Sequence, residues 1–317
     1  MKARTILEVV GGTVAFVVIV AGVGAAYASW TWDNGRYRDY PLPDLKASTD
    51  SALIAKGRYL ALGPAHCADG HTPAGGAPFS GGAVFHLPLG TVYSPNITPD
   101  SVTGIGKFAD GQIARMLRYN VRPHGRAAIP FMQFERLSDE DVIAVLSFLR
   151  SNQPVVHQVS NHEMSLMGKI VLAFAIKPNS RDNKAPKTSP PVAPTVERGE
   201  YLVNSVAECA GCHSVRDLRT GAFTGPRLGG GFEYPSDDDP SIIFTPPNLT
   251  NDPTGMTGRL TEDQFVARFR QGRVIKASIM PWEAFVAMQE GDLRAVYRYI
   301  KTVPAVHNDV VTVRKKA

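Results

Sequence analysis

Cysteine and excess charge are both scarce in this sequence, and each scarcity excludes a class of protein. Three cysteines in 317 residues are too few for a disulfide scaffold, and an odd number cannot all pair within the chain. The 34 Lys and Arg exceed the 29 Asp and Glu by only five, which argues against nucleic-acid binding. Apolar residues make up 44%, too many for a disordered chain. The length suggests two domains of roughly 150 residues.

Long apolar runs are equally scarce, and the one able to cross a membrane is Val9–Ala28. At ~1.5 Å per residue it spans the ~30 Å core of a bilayer, and positive residues before it predict export of the chain after it. The Ala26–Ala28 tripeptide also fits a signal-peptide cleavage site. We interpret residues 1–29 as an uncleaved anchor, with Trp30 and Trp32 at the outer interface. Both alternatives export the remainder of the chain to an oxidising compartment.

The rest of the sequence contains an internal repeat. Gly57 precedes Cys67 by ten residues, and Gly199 precedes Cys209 by the same distance. In each copy, a Gly-rich loop, a Pro-Asn-Ile/Leu-Thr segment and two runs with apolar residues at helical spacing then come in the same order. The runs cover 110–118 and 141–149 in copy one, and 262–270 and 292–300 in copy two. Ser138 and Thr261 are typical of residues that cap helices.

This pattern predicts a mainly α fold with two tandem helical domains behind one transmembrane helix. The domains are expected at 48–151 and 195–304. Residues 152–194 form the linker, which ends in a Pro-rich spacer. An apolar run, Leu166–Ile176, lies in the linker and is too short to span a bilayer. We expect it to pack as a helix against a domain, and a membrane-surface helix is the alternative.

Cys209-Ala-Gly-Cys212-His213 carries the chemistry of copy two, since C-x-x-C-H is the attachment signature of c-type heme. Two thiols three residues apart can add to the two vinyl groups of one porphyrin, and the adjacent His can ligate the iron. A redox dithiol or half of a zinc site are the alternatives. No second C-x-x-C exists to complete a zinc site, and a dithiol does not need the His. Met280, before Pro281 and Trp282, is the candidate sixth ligand, because a thioether favours Fe(II).

The ordered motifs resemble those of membrane-anchored diheme cytochromes c, the cytochrome subunits of periplasmic alcohol- and aldehyde-type dehydrogenases. The resemblance covers about 50–150 and 195–303 as well as the anchor. It implies two c-type domains that each hold a heme c and pass single electrons. It does not identify the donor enzyme.

Copy one departs from the motif, because Cys67-Ala-Asp-Gly70-His71 has glycine in place of the second thiol. Cys67 remains as one tether and His71 as the expected proximal ligand. The first heme is therefore expected to be held through a single thioether, or to be absent.

The sixth ligand of copy one has three candidates. Ungapped alignment places Ile129 against Met280, a three-residue gap places Met132 there, and His124 lies nearby. We favour Met132. The remaining histidines are expected to be surface or hydrogen-bonded core residues; they are His66, His86, His157, His162 and His307.

The favoured function is an electron carrier rather than an enzyme. The expected donor is a periplasmic dehydrogenase subunit and the expected acceptor a quinone-linked or oxidase partner, with no role for nucleic acid. One alternative is a diheme peroxidase with an open iron in copy one. Another is a docking subunit whose first domain has lost heme.

Overall fold

The computed structural model describes residues 3–182, 184–217, 222–236 and 239–316. It begins with α1 (Ala3–Asn34), whose segment Glu8–Asn34 contains an 18-residue window of mean hydropathy 2.3 and is long and apolar enough to cross a membrane. Apolar side chains along this segment stand exposed, whereas Ala28 and Thr31 near its end are buried. The last turns of α1 therefore hold it to the rest of the protein.

Two similar sets of elements come next, which we call the first half and the second half. The first half contains α2 (Ser51–Leu62), α3 (Cys67–His71), β1 (Val84–Leu87), β2 (Gly90–Tyr93), a 3-10 turn (Ile105–Lys107), α4 (Asp110–Tyr119), α5 (Asp139–Ser151), β3 (Glu163–Met164) and α6 (Leu166–Phe174). The second half contains α7 (Val196–Tyr201), a π turn (Leu202–Val206), α8 (Cys209–Cys212), β4 (Tyr234–Pro235), β5 (Ile242–Phe244), α9 (Met256–Arg259), α10 (Glu262–Arg270), α11 (Trp282–Phe285), α12 (Glu290–Thr302) and β6 (Val313–Lys315). The four runs with helical spacing correspond to α4, α5, α10 and α12, as predicted.

The predicted caps begin two of these helices. Thr261 accepts from the Gln264 N–H while the Gln264 side chain accepts from the Thr261 N–H, which is a full capping box. Ser138 accepts from the Asp141 N–H at the start of α5. The reciprocal bond is replaced there, because the Ser138 N–H donates to the Tyr201 hydroxyl and the Asp141 carboxylate receives the Tyr201 O–H.

Each half also contains a small antiparallel sheet that the periodicity does not predict. The strand orders are β1-β2-β3 and β4-β5-β6. β3 lies within the predicted linker and β6 lies beyond residue 304, yet each completes the sheet of the half before it. The repeated structure thus extends about ten residues past both predicted domain ends.

The helices that open and close each half cross at a glycine. α2 packs on α5 and α7 packs on α12. A Cβ on Gly57 would overlap the Ala144 carbonyl oxygen, and a Cβ on Gly199 would overlap that of Ala295. Only glycine allows so close a backbone approach. The core lies around these crossings, with Leu60 and Leu293 almost fully buried.

Reciprocal contacts join the two halves. The Tyr201 hydroxyl of α7 donates to Asp141 of α5 at 2.6 Å, and the Tyr59 hydroxyl of α2 donates to Asp292 of α12 at 2.6 Å. Each carboxylate also pairs with a cation of its own half. Lys56 lies 2.6 Å from Asp141, and Arg198 lies 2.8 Å from Asp292. Both Asp residues are fully buried, so these partners offset the cost of removing their charge from water.

Candidate heme site

The two thiols of the second half lie on one helical turn, α8. Glu208, which precedes the turn, has φ +50°, and this reversal starts the helix at Cys209. None of the three cysteines forms a disulfide. Burial raises the pKa of Cys209 to about 12 and also raises the pKa of Cys212. A reactive dithiol requires a lowered pKa, so this environment disfavours the redox alternative.

His213 comes directly after the turn, with its ring buried and its orientation fixed. Its Nδ1 lies 2.8 Å from the Pro247 carbonyl oxygen. Since a carbonyl only accepts, Nδ1 carries the proton and Nε2 keeps a free lone pair. Burial lowers the pKa of His213 to about 4, which keeps the ring neutral. A neutral, oriented imidazole is what an iron ligand requires.

The segment that orients His213 is held by Asn248. Its side-chain amide donates to the Val306 carbonyl at 2.6 Å, and its oxygen accepts from the Thr250 N–H at 2.9 Å. The first half repeats this arrangement at Asn96, which donates to the Val155 carbonyl at 2.8 Å. The repeated Pro-Asn-Ile/Leu-Thr motif therefore positions the histidine from behind, through the Pro247 carbonyl and the buried Asn248 side chain.

A cavity of about 280 Å³ opens beside this turn, and both His213 and Met280 line it. Its walls are mostly apolar. They include Leu249, Phe265, Phe269, Trp282, Phe285, Leu293, Val296 and Ile300. The structure thus brings together Cys209, Cys212, His213 and Met280, the four second-half residues expected to bind one heme.

The Met280 loop is stiffened by hydrogen bonds around Trp282. The indole Nε1–H donates to Ser278 Oγ at 3.0 Å, and the Trp282 N–H donates to the Met280 carbonyl at 2.7 Å. The Arg268 guanidinium lies 3.9 Å from the Trp282 ring centroid, a cation–π contact. These contacts fix Met280 at the cavity wall.

Cationic side chains also reach this cavity, namely Arg216, Arg259 and Arg268. The buried Arg216 Nε has no hydrogen-bond partner among the described residues. An unpaired buried donor is costly, and an anionic group in the cavity would satisfy it. Apolar walls with such a donor fit a porphyrin that carries carboxylates.

Residues of the first half close part of this cavity, which the repeat did not reveal. His66, Phe131 and Gln133 line it, and the His66 ring packs edge-on against Phe285 at 5.7 Å. The Gln133 N–H donates to the Glu208 carboxylate at 3.2 Å. His66 was expected at the surface or in the core, and it instead lines the second-half cavity.

The first half preserves the backbone of the site but not its second thiol. His71 is buried, and its Nδ1 lies 2.9 Å from the Pro95 carbonyl, so its free Nε2 matches that of His213. Burial raises the pKa of Cys67 to about 12. A Cβ on Gly70 would meet nothing within 4 Å, so a side chain would fit there.

The loop expected to supply the sixth ligand of the first half repeats at Ile129. The Phe131 N–H donates to the Ile129 carbonyl at 2.7 Å, the same bond that joins Trp282 to Met280. Met132 is half-buried against the core three residues after Ile129, and its role stays a prediction. His124 is exposed and its ring lies edge-on to Phe108 at 5.4 Å, which disfavours it as a ligand.

One histidine of the first half, His162, is hydrogen-bonded at only one of its two ring nitrogens. His162 accepts from the Tyr93 N–H through Nδ1 at 3.2 Å, which leaves Nε2 as the donor. That buried Nε2 has no hydrogen-bond partner in the described ranges. Burial and the charges of Arg122 and Arg126 lower the pKa of His162 to about 3. His162 was expected to be a surface or hydrogen-bonded core residue, and the structure shows it half-buried with one ring nitrogen bonded.

Comparison with known proteins agrees with this chemistry. The chain is 33% identical over 275 residues to the cytochrome c subunit of a quinone alcohol dehydrogenase from Gluconobacter oxydans, covering 81% of this chain and 56% of that protein. It is 30% identical to the gluconate 2-dehydrogenase cytochrome c subunit of Pantoea cypripedii, covering 81% and 60%. A diheme cytochrome c-type protein of Cereibacter sphaeroides is 24% identical, covering 72% and 76%. No protein-family model matches the chain.

The buried, oriented histidine, the paired thiols and these relatives define a c-type cytochrome. The predicted resemblance is confirmed, since the chain is similar to the cytochrome c subunits of alcohol, gluconate and fructose dehydrogenases. It spans between half and two thirds of the length of those relatives.

Proposed function

We propose that this protein is the electron-transfer subunit of a membrane-bound dehydrogenase, anchored by α1 in the bacterial inner membrane with its halves in the periplasm. The observation that carries the proposal is the second-half cavity, where His213 and Met280 share one apolar enclosure. Relatives named as dehydrogenase cytochrome c subunits support the role.

The proposal assigns one c-type domain to residues 48–151 and another to 195–304, each with heme c. Cys209, Cys212, His213 and Met280 would hold the second heme. Cys67, His71 and Met132 would hold the first, through a single thioether. A heme so bound supplies a one-electron Fe(III)/Fe(II) couple.

The protein's own contribution is to orient the ligands and exclude water. The Pro247 carbonyl fixes the His213 tautomer, and the aromatic wall keeps water from the ligand side. If His213 and Met280 both ligated the iron, no coordination position would be left for a substrate. This chain would therefore carry electrons while the dehydrogenase subunit performs the oxidation.

The expected donor is the catalytic subunit of a periplasmic dehydrogenase, and the expected acceptor is a quinone-linked or oxidase partner. The net charge of +5 favours an acidic partner surface. Association with such a partner should slow as salt is raised, because charge steering is screened.

Covalent heme content tests the proposal. Replacement of Cys209 and Cys212 by Ser should remove the two-thioether heme from denatured protein, as measured by heme-stained electrophoresis and pyridine hemochrome. Cys67→Ser is the matched control and should spare that heme. Full retention of covalent heme in the double variant would contradict the assignment.

A second candidate function, a peroxidase with an open iron in the first half, is favoured by Ile129 at the position of Met280. Its signature is a high-spin ferric band that responds to peroxide. A single heme per chain would instead favour the docking subunit.

A further inference from the structure

A basic and aromatic cluster lies where α1 leaves its apolar segment. The Arg126 guanidinium lies 3.9 Å from the Trp32 ring centroid, and the Lys169 ammonium lies 6.0 Å from the same centroid. Arg36 lies 5.9 Å from the Tyr27 ring centroid. We call Arg36, Arg126 and Lys169 the cationic cluster. They line one cleft, although each comes from a different segment. Arg36 follows α1, Arg126 lies in the loop after α4, and Lys169 is on α6.

The cationic cluster has little internal compensation. Arg36 and Arg126 donate to the backbone carbonyls of Ala173 and Trp32, at 3.4 and 3.2 Å. Among the described residues, none of the three cations forms an ion pair. Asp33 acts on Arg126 through space without contacting it. Three neighbouring like charges repel one another, so an anion in the cleft would be bound favourably.

Helix α6 presents an apolar face beside this cleft. Leu166, Met167 and Phe174 are 53%, 57% and 51% exposed. Met167 and Phe174 are seven residues apart and share one side of the helix. The Phe174 ring packs against Tyr27 of α1 at 5.5 Å, so this face continues the exposed apolar surface of α1.

The orientation of α6 is fixed by the first half. The Ser165 N–H donates to the Leu89 carbonyl at 3.0 Å, and a Cβ on Gly168 would press on the same carbonyl. β3, just before α6, pairs with β2. The helix is thus held rigidly against the end of α1 and is not a loose linker segment.

Helix geometry gives the position of the cationic cluster relative to the bilayer. If the exposed apolar part of α1 crosses the bilayer, Trp32 and Arg36 lie roughly one to two turns beyond its end. That is the level of the lipid headgroups, where aromatic and cationic side chains are favoured.

We propose that α6 lies on the outer bilayer surface with Leu166, Met167 and Phe174 in the acyl boundary, and that the cationic cluster binds the phosphate of an anionic phospholipid. The inference rests on the anchor assigned under the proposed function. It fits the energetics of interfacial helices, in which apolar burial and attraction to anionic headgroups add. It would fix the first half close to the membrane plane.

Lipid retention by the full chain tests the phosphate site. Native mass spectrometry in detergent, with phosphatidylglycerol or phosphatidylcholine of identical acyl chains, should show preferential retention of phosphatidylglycerol. Arg126→Gln or Lys169→Gln should each weaken this retention about fivefold, the equivalent of ~1 kcal/mol per cation. Lys46→Gln, an exposed cation paired with Asp44, is the control and should change nothing.

Accessibility of spin labels in nanodiscs tests the apolar face. A nitroxide on Met167→Cys should be shielded from a water-soluble nickel chelate and accessible to oxygen. Leu42→Cys, also exposed but outside α6, should show the opposite pattern. The unmodified protein, carried through labelling, corrects for the native cysteines.

The outcomes separate this inference from the proposed function. Equal retention of both lipids, or a water-accessible label at position 167, in a chain whose intact mass includes α1 would reject the surface site and leave the anchor standing. A mass that shows α1 removed would reject the anchor and the inference together.

Discussion

The two halves keep the same frame around their histidines but differ in the groups that would act on heme. His71 and His213 are oriented by proline carbonyls at 2.9 and 2.8 Å. Gly81 and Gly230, which come later in each loop, have φ of +75° and +72°. Where the second half has Cys212 and Met280, the first has Gly70 and Ile129.

This comparison shows which positions the fold itself needs. Gly81 and Gly230, and the loops held by Asn96 and Asn248, set the backbone geometry of the two halves. Replacing any of these residues would disturb the packing of its half. The thiol position faces open space, so its loss at Gly70 costs no packing. Architecture and cofactor chemistry are therefore separable in this molecule.

The largest expected effect tests whether the helix crossings of the two halves are equally tight. Gly57→Ala and Gly199→Ala should each lower the free energy of unfolding by about 3 kcal/mol or more, because the new Cβ overlaps a carbonyl of the crossing helix. Urea unfolding followed by circular dichroism measures both. Gly291→Ala, whose Cβ would meet nothing within 4 Å, is the control and should be neutral or slightly stabilising. Unequal losses at positions 57 and 199 would show that the two crossings differ.

The next effect probes the difference in ligands. Met280→Ala should lower the reduction potential of the second heme by on the order of 0.1 V, a fraction of the ~0.8 V range that axial ligands span. Loss of the Met–iron charge-transfer band should accompany it. Met132→Ala should alter the first heme in the same way, whereas Ile129→Ala should not. A changed first-heme band in Ile129→Ala alone would break the assignment of Met132.

Gly70→Cys should erase one difference between the halves. The open space at position 70 accommodates the thiol, so the change in stability should stay within about 0.5 kcal/mol. Pyridine hemochrome should convert from a mixture of one- and two-thioether hemes to two-thioether heme, with total heme constant. A wild-type spectrum without any one-thioether component would remove the basis for this prediction.

The smallest effect concerns Glu208, whose counterpart in the first half is the uncharged His66. Burial and Glu135 raise the pKa of Glu208 to about 8. Between pH 4.5 and 8 the folded protein keeps the Glu208 proton, whereas the unfolded chain has released it. The free energy of unfolding therefore falls as the pH rises through this range. Glu208→Gln should therefore raise Tm by a few degrees at pH 8 and change it little at pH 4.5. A gain of the same size at both values would mean that the charge is not its cause.

Sequence alone could predict the features that depend on the spacing of residues close together in the chain. The C-x-x-C-H motif and the helical periodicity located Cys209, His213 and four helices, because each depends on residues a few positions apart. β3 and β6 were not predictable, since strands of two or three residues form only by pairing across about 70 residues of chain. The positions of His66 and Gln133 in the lining of the second-half cavity were not predictable either, because they depend on contacts between the halves.

The reciprocal tyrosines have a consequence for the origin and integrity of the chain. Contacts in which Tyr59 meets Asp292 while Tyr201 meets Asp141 form the isologous pattern of a two-fold symmetric dimer, here within one polypeptide. A single ancestral unit that paired with itself would make the same bonds, and fusion of two copies would preserve them. Either half expressed alone would leave its buried aspartate without the tyrosine donor. We therefore expect the separated halves to be recovered together or not at all.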